Sequence, residues 1–220
     1  MKKSTLCIIL AAIVCCGIMA WVDGVLMPGY VLKSVMKLAL FLACPFVLSR
    51  MDKQIAFAEL FRVQKNAIVR PLLLGVGLYA VILCAYFLVR NVFDFSNIAG
   101  SLTENAGVTK ENFLFVAIYI SFVNSLLEEF FFRGFVFTNL KTLYSRKFAH
   151  LFSAVVFALY HVAMMIGWFG LPMFLLCMAG LTAGGLIFNY LNEKQGNIYA
   201  SWFVHMFANF AINTIGFMLL

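Results

Sequence analysis

The sequence predicts an all-α protein, a polytopic membrane helical bundle of about seven transmembrane helices. Three observations carry that class. Hydrophobic residues make up 64% of the 220 residues, against roughly 45–50% in soluble domains. Charged residues are 11%, against about 25% in such domains. The apolar residues also fall in continuous runs near the roughly 20-residue length that spans a bilayer. A mean hydropathy of +0.99 excludes a soluble globule, which could not cover so much apolar surface, and disorder, which needs low hydrophobicity and high charge. A transmembrane β-barrel would alternate apolar and polar residues, and these runs do not alternate.

The first run, Thr5 to Val22, follows Lys2 and Lys3. It has the basic start and apolar middle of a signal peptide. Ile18 is a poor residue at the −3 position for cleavage after Ala20, so the run reads as an uncleaved first helix. The second, Tyr30 to Ser49, contains Lys33 and Lys37. These lie one helical turn apart on one face and are expected to snorkel to the interface. The third is Pro71 to Val89, with proline in the first turn, where its missing N–H costs little. The fourth runs from about Asn112 to Leu140 and is interrupted by Glu128, Glu129 and Arg133. The fifth is Leu151 to about Trp168. The sixth, Leu171 to Leu191, carries Gly180 and Gly184, a spacing that lets helices approach closely. The seventh is Ile198 to Leu220.

Charge orients these spans. The loop from Arg50 to Arg70 holds five basic and two acidic residues, and the loop from Arg90 to Glu111 two basic and three acidic. Cytoplasmic loops are the basic ones, so the N-terminus is expected inside and the C-terminus outside, in the cell membrane. The net charge of +7 follows from the same loops. With no basic stripe interleaved with aromatics, nucleic acid is not expected as a partner. The six cysteines form no CxxC pair and read as small packing residues.

An ionisable group inside a membrane costs roughly 2.5–3.5 kcal/mol on insertion scales and marks a functional site by default. Glu128 and Glu129, His161 and His205 all fall inside apolar runs. On a helix, Glu129 and Arg133 share a face at i and i+4. A structural ion pair accounts for that carboxylate but not for Glu128, whose side chain points about 100° away. His161 alone reads equally as a hydrogen-bonded, neutral core histidine. His205 and Asn209, one turn apart, read alone as interhelical glue. Measured from the expected helix starts at 1.5 Å per residue, however, Glu128, His161 and His205 fall at a similar depth in the cytoplasmic half. The four side chains, with Asn209, are expected to converge on a cavity open to that side.

These pieces resemble the CPBP family, the CAAX proteases and bacteriocin-processing enzymes, also called Abi. The family pattern is EExxxR, then FxxxH, then HxxxN or HxxxD on successive membrane helices. The chain reads Glu128-Glu129 with Arg133, Phe157 with His161, and His205 with Asn209. The resemblance covers about Asn112 to Asn213. It divides the chain into three N-terminal spans and their loops (1–111), without a recognisable motif, and a CPBP-like catalytic membrane core (112–220).

The resemblance implies a glutamate-dependent intramembrane endopeptidase acting on a membrane-associated protein or peptide, without cofactor or metal. Glu128 would be the general base, activating water with His161. His205 and Asn209 would hold the oxyanion, and Glu129, Arg133 and Phe157 would support the site. Other readings stand beside it. One carboxylate and two histidines are plausible zinc ligands, although HExxH is absent. A non-catalytic membrane scaffold or bacteriocin-immunity factor could carry the same motifs. A proton-coupled transporter also uses Glu and His, but would need polar groups across the whole membrane.

Overall fold

The computed structural model describes residues 3–57, 60–62 and 68–220. Among them every regular element is helical. In chain order these are α1 (Lys3–Leu26), α2 (Tyr30–Met51), α3 (Val69–Val89), α4 (Asn97–Ala106), α5 (Phe113–Leu143), α6 (Arg146–Met165), α7 (Leu171–Gln195) and α8 (Tyr199–Leu219). All except α4 are long and apolar enough to cross a membrane. The protein is therefore an all-α, multi-pass integral membrane protein. The short α4 lies in the connection that the sequence reading treats as loop.

Local signals explain the ends that differ from the apolar runs. α6 begins at Arg146, not Leu151, because Ser145 is extended and its Oγ accepts from the Phe148 N–H at 3.5 Å. Such a cap satisfies a first-turn N–H that has no partner in the helix. α7 runs on to Gln195 and stops at Gly196, whose φ of 67° is the left-handed conformation that glycine adopts without a Cβ clash.

α5 occupies the middle of the bundle. Phe131, Phe132, Phe135 and Phe137 are fully buried, and Phe41 of α2 stacks on Phe131 with ring centroids 4.1 Å apart. α5 contains two π-helical stretches, Ile120–Asn124 and Glu129–Thr138. Wide turns of this kind change which residues share a face. Backbone carbonyls beside the first stretch are met from α8. Trp202 Nε1 donates to Phe122 O at 3.2 Å, Asn209 to Ile120 O at 3.1 Å, and Asn213 to Ala117 O at 3.2 Å. These bonds zip α5 to α8 in antiparallel order.

α3 lies against α8, where a Cβ on Gly75 would meet the Phe207 ring at 2.4 Å. Its other face is exposed apolar surface, suited to lipid. The close approach between α6 and α7 is made by Gly185, where a Cβ would fall 2.9 Å from Ala154 Cα. This corrects the expectation for Gly180 and Gly184, which have nothing within 4 Å of an added Cβ. One residue along a helix turns the side chain by about 100°, so the neighbouring glycine faces the partner instead. Among the cysteines, Cys15 and Cys16 are buried as expected, whereas Cys84 is exposed on α3.

The basic connections gather at one end of the bundle. Ser4 Oγ donates to Gln54 Oε1 at 3.2 Å, joining the start of α1 to the α2–α3 connection. Glu193 at the end of α7 takes Arg146 Nη2 at 2.8 Å, His150 Nε2 at 3.1 Å and Lys141 Nζ at 3.6 Å. Lys2, Glu59 and Lys65, which the charge reading also uses, lie outside the described residues.

Candidate active site

The two glutamates sit midway along α5, about 22 Å from either end at 1.5 Å per residue. Glu128 is 2% exposed and Glu129 fully buried. Their surroundings differ. Glu129 Oε1 lies 3.4 Å from Arg133 Nη1, at i and i+4, as the spacing predicts. The same oxygen lies 2.9 Å from His205 Nδ1. A carboxylate can only accept, so Nδ1 carries the hydrogen. Nε2 of His205 is then turned to Glu128, 3.6 Å from its Oε2. One imidazole on α8 thus bridges the two adjacent carboxylates of α5.

Arg133 is fully buried and held by charge and aromatic faces. Its guanidinium carbon is 4.3 Å from the Phe157 ring centroid and 5.0 Å from that of Phe188. Cation–π contacts gain strength when desolvated. Phe157 also meets the rings of His161 at 4.8 Å and His205 at 5.8 Å. It is the packing block around which the cation and both histidines are arranged.

The local chain explains His161. The α-helix of α6 is interrupted at His161, between Tyr160 and Val162, and the His161 N–H bonds Ala158 O rather than Phe157 O. The tightened turn lets Phe157 O accept from His161 Nδ1, at 2.8 Å. A carbonyl fixes the tautomer, because Nδ1 must donate and Nε2 of the neutral ring is left as an acceptor. His161 is half-buried, and no hydrogen bond among the described residues joins it to Glu128.

Asn209 is on the face of α8 that carries His205, one turn on. Its side-chain amide donates to Ile120 O at 3.1 Å, and no hydrogen bond among the described residues brings it onto Glu128. The bond is the interhelical one that the sequence offers as its alternative reading.

Three residues that sequence reasoning missed complete the cluster. Lys37 is not at the interface. It is 4% exposed, and its Nζ lies 2.5 Å from Glu128 Oε1 and 2.5 Å from Asn124 Oδ1. Its Nζ is also 4.8 Å from the ring centroid of Tyr160. Asn124 Nδ2 donates to the same Glu128 oxygen at 3.0 Å. The outer lysine of the pair, Lys33, meets Asp23 at 2.6 Å. The physical reason for this correction is that a buried carboxylate attracts a cation more strongly than the interface does. The signals were present: a lysine inside an apolar run, and an asparagine four residues before Glu128 on its face.

With α6 starting at Arg146, His161 lies about 22 Å along it and close to its far end. Glu128 lies the same distance from the Leu143 end of α5, and His205, about 9 Å along α8, meets Glu129 from a helix whose start is offset from those ends. Among the described residues, no group of three or more His, Cys, Asp or Glu side chains is disposed to hold a metal ion.

Neither a curated protein nor a solved structure matches the chain. Residues 110–211 match a family model described as Rce1-like, type II CAAX prenyl endopeptidase, a segment that contains all three motif pieces from Glu128 to Asn209. That match, together with seven helices long and apolar enough to span, places this segment in the CPBP/CAAX protease family of membrane proteases.

Proposed function

We propose that the chain is a glutamate-dependent intramembrane endopeptidase that hydrolyses a peptide bond in a membrane-associated protein or peptide with water and no metal. The observation that carries the reading is the bridge of His205 between Glu129 and Glu128. It unites a candidate base, its orienting imidazole and a second carboxylate in a buried site.

Glu128 takes a proton from water as the water oxygen attacks the carbonyl carbon. The acceptor Nε2 of His161 orients that water. His205, held at Nδ1 by the Glu129 carboxylate, and the Asn209 amide hold the oxyanion. A single such donor is worth about 3–4 kcal/mol at the transition state. The C–N bond then breaks, and Glu128 returns its proton to the leaving nitrogen. A carboxylic acid and an amine leave, and Glu128 is again a carboxylate. Residues 112–220 form the catalytic core, and the N-terminus faces the cytoplasm of the cell.

The test compares membrane proteomes of cells carrying the intact protein and Glu128→Gln, and assays the purified full chain on a farnesylated peptide with a CAAX terminus. The variant should accumulate an uncleaved membrane protein, and chelators should leave wild-type cleavage unchanged. Wild-type turnover by Glu128→Gln, or loss of cleavage on chelation, overturns the mechanism.

A further inference from the structure

The cluster contains a charge that the proposed mechanism does not use. We propose that Lys37 is a positioning residue for Glu128: the ammonium that keeps the Glu128 carboxylate ionised and held in one orientation inside the membrane. Its effect on turnover rests on Glu128 being the base.

Charge balance is the first argument. Glu128, Glu129 and Arg133 are all buried and, when ionised, sum to one negative charge. Glu129 already serves both Arg133 and His205. A net charge left in a low-dielectric interior is costly unless paired. With both histidines neutral, Lys37 brings the sum to zero. Among the described residues no other cation takes this place. His161 and Tyr160 face Glu128 from α6, His205 from α8, Tyr30 from α2 and Cys16 from α1, and its own helix adds Glu129 and Arg133.

Direction is the second argument. Lys37 and Asn124 both donate to Oε1 of Glu128, and Asn124 also accepts from Lys37. The closed triangle fixes one carboxylate oxygen. The other, Oε2, is turned toward His205, where the mechanism requires a proton acceptor. The aromatic faces of Tyr160 and Phe41, with centroids 4.8 and 5.5 Å from Nζ, flank the ammonium. One turn outward, Lys33 is paired with Asp23, a separate and neutral pair. The second span thus contributes to a site whose motifs all lie beyond residue 111.

The test reads the ionisation of Glu128 directly. Full-length protein in lipid nanodiscs is titrated by infrared difference spectroscopy as wild type, Lys37→Met and Lys37→Arg, each with and without Glu128→Gln. At pH 7, Lys37→Met should show a protonated-carboxyl band that disappears when Glu128→Gln is added. Wild type and Lys37→Arg should lack it. If Lys37→Met does not fold, Lys37→Gln, which keeps a donor but no charge, answers the same question.

On a cleaved substrate, the acidic limb of kcat/KM should move up to about pH 8 in the neutral variants. Activity near pH 7 then falls about tenfold and recovers in alkali, whereas a merely structural role would lower it equally at every pH. A Glu128 that stays ionised over the wild-type range in the neutral variants overturns the proposal, even if Glu128→Gln is inactive. Should the band shift while Glu128→Gln keeps turning over, the role of Lys37 stands and the assignment of the base falls.

Discussion

Glu129 Oε1 accepts from Nδ1 of His205 at 2.9 Å and lies 3.4 Å from Nη1 of Arg133. One buried oxygen therefore joins α5 to α8 and neutralises the guanidinium on its own helix. The sequence assigns Glu129 to Arg133 alone, so its substitution is expected there to act mainly through folding. The bond to His205 adds a second consequence.

Glu128→Gln leaves Lys37 buried without its charge partner and should cost about 3–5 kcal/mol, while turnover per folded molecule falls by at least about 10²-fold, the usual range for loss of a general base. Glu129→Gln leaves Arg133 buried without its charge partner and should cost about 3–5 kcal/mol. It should also lower turnover per folded molecule, because His205 loses its carboxylate. Thermal unfolding with turnover normalised to folded protein separates the two. A fully active, wild-type-stable Glu129→Gln would refute the bridge.

Phe157→Ala removes the ring shared by Arg133 and both histidines but leaves the backbone carbonyl that fixes His161. A loss of about 3–5 kcal/mol is expected for a large buried aromatic, and Phe157→Leu should cost less. Denaturant unfolding in detergent measures both; equal stability of the alanine variant and wild type would contradict the packing described.

Asn209→Ala and Asn213→Ala form a matched pair. Each loses side-chain bonds from α8 to α5, worth about 0.6 kcal/mol per interhelical bond in membranes. Only Asn209→Ala should also reduce turnover, by about 10²–10³-fold if it supports the oxyanion. Equal activity of the two variants would confine Asn209 to its interhelical bond.

Gly185→Ala should destabilise the α6–α7 contact by about 1–3 kcal/mol, since its Cβ would press on backbone that cannot move aside. Gly184→Ala should be tolerated, with nothing within 4 Å of its Cβ. Unfolding temperatures of the two variants decide it, and the reverse order would exchange the faces of α7.

Orientation is testable from outside the cell. In intact cells, an impermeant thiol reagent should label Glu104→Cys and spare Lys53→Cys until the membrane is opened. Labelling in the opposite order would invert the expected topology.

Apolar run length and scarcity of charge determined the number and kind of helices, because a bilayer requires every spanning segment to satisfy its own backbone polar groups. The same poverty of charge made Glu128, Glu129, Arg133, His161 and His205 conspicuous. The pairing of Glu129 with Arg133 followed from helical spacing, a local property. Tertiary structure decided the rest. Snorkelling outward and pairing inward are open to the same side chain, and only the position of α5 beside α2 drew Lys37 to Glu128. Which glycine touches a neighbour depends on rotation about the helix axis, so Gly185 took the contact expected of Gly184. The depth of His161 depended on where Ser145 caps α6, and the bridge by His205 on how the wide turns of α5 meet α8. Offsets and rotations between helices are set by packing of one surface on another, which no single run of residues contains.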